Sequence, residues 1–516
     1  MRTLAILLMV LLTPAMALGE RRARGRERPR AESAAPAAPA GIRTSLADVI
    51  ELAVRASPGL RRARLVRAAA GEDAAAAEVE REWVASSQLG ANRQSIDRPD
   101  PDPVQLLEDL TIDGQVSLAK RLPSGGALTV SAALTRQDQT YDVSQILPGQ
   151  PSGGRQGVQN SAARAGVSLS QPLLRGLAAT GQHTVRRARA QRDSAQYAAE
   201  LAAEEALRDI VVAYWELAYA TEAATVAEKS FALGRQQLEQ TSEGRRAGIV
   251  AANAVKAVEY QLAVREEALL RARLEQRSRS MELRRLISLD GEEDRELVAP
   301  TEPFALDQRT FDLEELLARS VERNPELSQL VADKKVADID LTMARDREKP
   351  QLDLTVDAAL IGNGEDLGNA LGEVGSGNTY QVGLRLELQY ELGGGRSAAV
   401  RGAEKRRSAV TVSAADRAHR IRTEVLLAYD IVTAARQRVA LAEKAISLAL
   451  ETLDAEQANF VAGRSTTYSV LDRQGEVVDS ERSLARAIAD YHQAVARLEL
   501  LTGDLLDHYG VDLIAP

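Results

Sequence analysis

His183, His419, His492 and His508 are the first places to look for metal or proton chemistry, because imidazole both ligates and titrates near neutral pH. They are scattered, with none of the short spacings that aim two ligands at one ion. The chain has no cysteine, which excludes disulfides, thiolate metal sites, a cysteine nucleophile and a lipid-modified N-terminal cysteine. Gly393-Gly394-Gly395 could be taken for a phosphate loop, but the Lys-Ser/Thr that should follow is missing, so the run reads as a strand-to-helix turn. Carboxylates are plentiful, yet they sit on charged helical faces where solvent levels their acidity. These residues predict no catalytic centre, no metal site and no cofactor. One smaller constellation remains: Ser469 and Asp472 stand three apart and share a helix face, shortly after a glycine at 463.

The elements that would hold them are marked by composition. Aromatics make up 3% of the 516 residues and charged residues 27%, with alanine, arginine, glutamate and leucine dominant, a mixture that favours long packed helices. The net charge of -9 gives no global attraction to nucleic acid, and none is expected as a partner. Arg2, the apolar run Leu4 to Leu12 and Ala15-Met16-Ala17 have the layout of a secretory signal peptide over 1–17, cut after Ala17. Residues 18–43, basic and then rich in Ala and Pro, read as a flexible tail. No later segment offers the roughly 20 apolar residues of a spanning helix, leaving a soluble protein or one that crosses a membrane as a β-barrel.

The chain says everything twice. SLADVIELAVRASPGL from Ser45 is answered by DLEELLARSVERNPEL from Asp312, with Pro58 and Pro325 in matching places. Gly181 and Gly395 each precede a long helical stretch; AGIVAAN at 247–253 and AGRSTTY at 462–468 interrupt those stretches; ISLDG and LLTG close the halves. The expected division is a first repeat over 44–291, a linker over 292–309, a second repeat over 310–503 and a C-terminal tail over 504–516. Long helix pairs are expected at 177–288 and 396–501.

In the second pair, Ile421, Val425, Ala428, Val432, Ala435, Val439, Ala442, Ile446, Ala449 and Leu453 recur in steps of four and three. Val470, Val477, Leu484, Tyr491 and Leu498 then recur every seven. Such a repeat gives a left-handed supercoil of packed helices, and alanine at the seam permits close approach. Periodicity alone fits a coiled-coil rod equally well. Strands argue against a rod: Tyr380, Val382, Leu384, Leu386, Leu388, Tyr390 and Leu392 alternate with polar residues or glycine over a length that crosses a membrane as a tilted strand. Strands are predicted at about 84–95, 112–136 (a hairpin turning at Pro123-Ser124-Gly125-Gly126), 163–171, 351–361 and 379–392. The Gly-rich stretch from Gly362 to Asn378 reads as an exposed loop. The fold class predicted is an outer-membrane β-barrel continued by a long α-helical coiled-coil barrel, each protomer built from two structural repeats.

The doubled S/D-L-x-x-x…(N/S)-P-x-L element, QPLLRG at 171–176, the glycines at the helix starts and breaks, and GRSTTYSVLD at 463–472 leading to LLTG resemble the TolC-type outer membrane efflux family, in order, over nearly all of Thr44 to Gly503. The resemblance implies a homotrimer whose barrel contacts outer-membrane lipid, with a helical tunnel in the periplasm. It implies a passive export duct of a tripartite efflux or type I secretion system. It also implies a periplasmic adaptor as direct partner and an inner-membrane pump reached indirectly. The adaptor would dock at the helix breaks, which places Gly248, Ile249, Val250, Gly463, Arg464, Ser465 and Thr466 at the tips; a plainer reading makes the glycines helix-reversal residues with positive φ. The pore constriction would fall at Ser469 and Asp472.

Two departures qualify the resemblance. Pro58 to Gly181 exceeds Pro325 to Gly395 by about 53 residues, and the 112–136 hairpin lies in that excess. Family members give four strands per protomer, so this hairpin either decorates the mouth or enlarges the barrel. At the constriction the family's two acids correspond to Ser469 and Asp472, so one acid is kept; Ser465 replaces the family's Arg and Ala254 its first-tip Asp. The alternative function is a periplasmic coiled-coil adaptor without a pore.

Overall fold

The computed structural model describes residues 42–79, 82–95, 104–143, 155–177, 180–248, 250–289, 298–307 and 309–513. The expected signal peptide and nearly all of the N-terminal tail lie outside these residues. A short strand β1 (Ile42–Thr44) leads into α1 (Leu46–Ala56). Ser45 accepts from the Asp48 amide while the Asp48 carboxylate accepts from the Ser45 amide, so two otherwise orphaned donors are satisfied reciprocally. α2 (Pro58–Val79) then begins on a proline, whose missing N–H costs nothing at the first helical position. In the second half α5 (Leu313–Glu322) is capped by Asp312, and Asn324 caps α6 (Pro325–Glu348), also begun by proline.

Between these come the long helices: α3 (Thr180–Arg246) and α4 (Ala252–Ile287) in the first half, α8 (Gly395–Val461) and α9 (Thr467–Thr502) in the second. Both leading helices have 67 residues and both returning helices 36. At 1.5 Å per residue the longer ones run about 100 Å. Ile421, Val425, Ala428, Val432 and Ala435 of α8, positions picked out by the four-and-three spacing, form one buried stripe against Tyr491, Ala494, Val495, Leu498 and Leu501 of α9, of which Tyr491 and Leu498 belong to the every-seven series. The other core gathers Leu207, Ile210, Val211, Tyr214 and Leu217 of α3 under α1 and the end of α4. Leu505 and Leu506 of α10 (Leu505–Tyr509), with Val511 and Leu513, are buried in it, so the stretch read as a C-terminal tail is packed.

Residues 298–307, read as part of a linker, are likewise seated. β6 (Val298–Pro300) pairs in parallel with β1, and Phe304 and Leu306 pack on the helices.

The longer strands are β2 (Trp83–Ser95), β3 (Gln105–Arg121), β4 (Ala127–Asp142), β5 (Arg155–Pro172), β7 (Gln351–Gly364) and β8 (Tyr380–Gln389). They make one antiparallel sheet in the order β2-β3-β4-β5-β7-β8. The hairpin that distinguishes the first half is β3–β4, and it lies inside this sheet between β2 and β5. Its turn is fastened at the helical end: Ser124 Oγ donates to Gln171 Oε1 at 2.7 Å, and Gln171 Nε2 donates back to the Ser124 carbonyl at 3.1 Å. The Gly362–Asn378 stretch, read as a loop, contains a ten-residue helix, α7 (Leu367–Ser376), capped by Asp366. It packs so closely on the distal end of β7 that a Cβ on Gly362 would lie 2.0 Å from the Ala370 carbonyl oxygen.

Register sorts the two faces. One carries Leu118, Val130, Val167, Ala358 and Val382 across a single row, with Val116, Ala132, Ala165, Leu360 and Tyr380 in the next. The other carries Ser117, Ser131, Gly166, Ala359 and Gln381, with Asp113, Arg164, Asp357, Arg385 and Glu387 nearby. No described helix is long and apolar enough to cross a membrane.

Candidate functional site

Both helix reversals are built alike. At the first, α3 ends, the Gly248 amide donates to the Arg245 carbonyl at 3.0 Å and the Val250 amide to the Gly244 carbonyl at 3.2 Å. At the second, the Gly463 amide donates to Phe460 at 3.0 Å and the Arg464 amide reaches back to Asn459 at 2.9 Å, which satisfies the last carbonyls of α8. Gly248 has φ +80° and Gly463 φ +72°, and neither has any atom near the place a Cβ would occupy. Glycine is therefore required at these two positions by backbone conformation, not by crowding. Ile249 lies outside the described residues. Arg464 and Thr466 are exposed, and Ser465 is half-buried with its hydroxyl on Glu456.

Thr466 caps α9, its hydroxyl accepting from the Ser469 amide at 3.2 Å, and the two hydroxyls lie 3.0 Å apart. Ser469 thus belongs to the cap. Asp472 is one turn on, with its side chain 54% exposed and its carboxylate 3.8 Å from Arg473. Arg473 also pairs with Glu476, whose hydrogen bond is the main cause that raises the guanidinium pKa. Asp472 is exposed on this chain, with Arg473 beside it; exposed pairs of this kind contribute little to stability.

The two turns lie at the same end of the helices. Arg265, beyond the first turn, donates to the Ser230 carbonyl of α3 at 3.1 Å and to Gln474, beyond the second, at 3.0 Å. Burial lowers the Arg265 pKa, the expected direction for a cation withdrawn from water. This bridge between the two helix pairs was not singled out from sequence; an arginine in an Arg/Glu-rich helix gives no local sign of its long-range partner.

A second set of contacts missed from sequence lies where residues 304–307 and Arg309 meet the helices. His492 stacks flat on Trp215, with ring centroids 3.6 Å apart, and its Nε2 donates to the Ala305 carbonyl at 2.9 Å. Burial lowers its pKa, since a charged ring would lose its hydration there. Arg309 reaches Glu499 at 2.6 Å, and His508 lies 3.0 Å from the same carboxylate. These side chains fasten a crossing segment.

At the opposite end, the exit of β5 is tied to a helix of the second half. The Gly176 amide donates to the buried Asp346 carboxylate of α6 at 2.8 Å, which holds the exit of β5 against the second half.

A two-faced sheet set on a bundle of helices about 100 Å long, with reversals at the far end, defines the class: the fold is that of outer membrane efflux channels. The comparisons agree. Residues 316–504 match the outer membrane efflux protein family. A curated relative, the nickel-cobalt-cadmium resistance protein NccC of Alcaligenes xylosoxydans xylosoxydans, is 28% identical over 200 residues, a match that takes in 38% of this chain and 43% of that protein. Among solved structures, the CmeC outer membrane channel of Campylobacter jejuni superposes with a TM-score of 0.67 at 13% identity, covering 89% of this chain and 85% of that one. The outer membrane protein VceC of Vibrio cholerae gives 0.65 at 15% identity, covering 89% and 96%. At such identities the likeness establishes the fold.

Proposed function

We propose that this protein is a trimeric outer-membrane channel, a passive duct that carries cargo from the periplasm to the exterior within a tripartite efflux or type I secretion system. The observation that carries the reading is the sheet: one apolar face and one charged face, continuous with long heptad helices. A rod-like adaptor has no use for a face of Val382, Leu384, Leu386 and Leu388 turned to solvent, whereas a barrel wall turns it to lipid. The charged face then lines water, and the helices continue the passage into the periplasm. Each protomer is built as two structural repeats, following a signal peptide removed after Ala17.

Apolar residues left exposed on the helices support association between copies. Tyr260, Leu270 and Leu274 of α4 and Val412, Leu427 and Leu441 of α8 are all more than half exposed among the described residues. In the trimer, the turns at Gly248–Val250 and Gly463–Thr466 receive the hairpin of a periplasmic adaptor, which links the duct to an inner-membrane pump. Asp472 of three protomers forms a ring at the constriction, with Ser469 beside it. The metal-resistance relative makes divalent metal cations the first cargo to test.

Reconstitution into planar bilayers tests the reading. The purified protein should give discrete conductance steps that prefer cations, and its removal from the producing cell should raise sensitivity to nickel, cobalt or cadmium. Protein that neither inserts nor conducts overturns the channel reading, while conduction without metal sensitivity removes only the cargo.

A further inference from the structure

We infer that the wall of this channel in the outer membrane has 18 strands, six from each of three protomers, with β2 of one copy pairing with β8 of the next. The inference rests on the trimeric channel proposed above and concerns the size and build of its outer part. The family resemblance implies four strands per protomer and hence a twelve-strand wall.

Three observations carry it. First, β3 and β4 are full members of the sheet. β3 pairs with β2 from Trp83↔Lys120 to Ser95↔Glu108, and β4 pairs with β5 from Ala127↔Ser170 to Asp142↔Arg155. Removing the hairpin from the wall would break both ladders and strip backbone groups of their partners inside a bilayer, where no water can replace them.

Second, the hairpin obeys the same two-faced code as the other strands. Ile112, Val116, Leu118, Val130 and Leu134 share the apolar face, while Asp109, Asp113, Ser117, Ser131 and Thr135 share the polar one. A mouth decoration bathed in water on both sides has no need of that alternation. Its turn is also tied to Gln171 at the helical end of the strands, far from the outer mouth.

Third, the apolar band runs diagonally. Its centre lies at Leu384 on β8 and Val356 on β7, and reaches Gly114 on β3, which the ladder places level with Gly362; on β2 the band is weaker and level with Leu360. The drift is six residues over four strands to β3 and four over five to β2, about one residue per strand across the sheet, which at a rise of ~3.3 Å and a spacing of ~4.8 Å corresponds to a tilt of about 35°. Strands of closed barrels tilt by roughly 35–45°.

The sheet still has two open edges. Leu89 on β2 is 89% exposed and Leu384 on β8 is 75% exposed, and the outer hydrogen-bonding side of each strand has no partner in the described residues. Lipid cannot satisfy those edges, so another copy of the same sheet must. Six strands from one chain cannot close around Asp113, Arg164, Asp357, Arg385 and Glu387 and still hydrate them. Three copies give a backbone diameter of about 34 Å, against about 23 Å for twelve strands at the same tilt and spacing. The outer mouth is then about 1.5 times as wide as the resemblance implies.

Electron cryomicroscopy of the full-length protein in lipid nanodiscs tests this directly. Eighteen strands in a wall about 1.5 times the twelve-strand width are expected. A trimer with a twelve-strand wall and the β3–β4 hairpin outside it overturns the inference and leaves the channel intact; a particle with no membrane wall overturns the channel reading on which the inference rests. Because the chain has no cysteine, labelling gives an independent check. In outer membranes, Gln115→Cys, Ser117→Cys and Ser131→Cys should react with a water-soluble maleimide, while Val116→Cys, Leu118→Cys and Val130→Cys should be protected. Equal reactivity of the two sets would place the hairpin in water and contradict the inference.

Discussion

The two halves of the chain agree in their helices and differ in their sheet. α3 and α8 have 67 residues each and α4 and α9 have 36 each, yet among the described residues the first half contributes four strands to the sheet and the second two. Helices that run side by side toward common tips are tied to one another in length, since a turn added to one pair alone would put its reversal out of level. The wall proposed for the sheet has no such constraint, because an additional hairpin would widen it without moving either end. The halves also bury their helices differently. α3 buries Leu207, Ile210, Val211, Tyr214 and Leu217 beneath other elements, whereas α8 buries one narrow stripe and leaves the rest for neighbours or water.

The largest expected effect separates the two sides of α8. Val425 is 0% exposed and Leu427, two residues on, 55%. Val425→Asp leaves a charge without a partner in the seam and should cost at least about 3 kcal/mol, visible as an early loss of helical signal on heating. Leu427→Asp should change the helices of one chain by no more than about 0.5 kcal/mol but reduce the trimer fraction in detergent. Equal thermal loss in both would erase the distinction between an inner stripe and a face kept for other copies.

Next come the reversals. A Cβ at positive φ costs about 1–2 kcal/mol, enough to reshape a short turn without unfolding helices of this length. Gly463→Val should abolish export while the trimer and its membrane wall survive. Normal export in that variant would reduce the tip to a connection.

A smaller effect is set by pH. Glu204 is buried in α3, and its pKa is raised from 4.5 to about 8, chiefly by loss of hydration and then by the charges of Glu200, Asp504 and Asp507. Its folded pKa lies above its unfolded one, so its contribution is fully favourable below about pH 4.5 and is lost as pH rises through about 8. Glu204→Gln should therefore leave Tm nearly unchanged at pH 4 and raise it relative to the parent at pH 9. A Tm difference independent of pH would mean that Glu204 does not titrate in this range.

The smallest effect concerns the proposed constriction. Asp472→Asn should leave Tm unchanged and lower both cation preference and block by multivalent cations in bilayer recordings. The change should be modest, because Arg473 and the capped Ser469 flank the carboxylate. If selectivity and block are unaltered, Asp472 is an ordinary exposed residue of α9.

What could be read from sequence was what repeats locally. The four-and-three spacing from Ile421 to Val439 marks the buried stripe because helical period alone decides which side chains share a face. The alternation from Tyr380 to Leu388 marks the apolar face of the sheet for the same reason. The glycines at 248 and 463 announced their turns through a conformation that other residues resist. What stayed hidden depends on partners far along the chain: Trp215 against His492, Arg309 on Glu499, Arg265 on Gln474. The place of the β3–β4 hairpin was hidden too, since its own alternation fits any sheet and only pairing with β2 and β5 puts it in this one. α7 escaped because glycines at 368, 372 and 375 argue against a helix, and its capping by Asp366 and packing against β7 override that preference.

The central claim is that three copies of this chain form one membrane-embedded duct. Density-gradient separation of the producing cell's membranes, followed by native mass measurement of the detergent-extracted protein, tests it most directly. The account predicts that the protein travels with the outer membrane and is released as a three-copy particle that survives mild denaturant. A single-copy protein recovered in the soluble periplasmic fraction, folded and with its helical content intact, would contradict it.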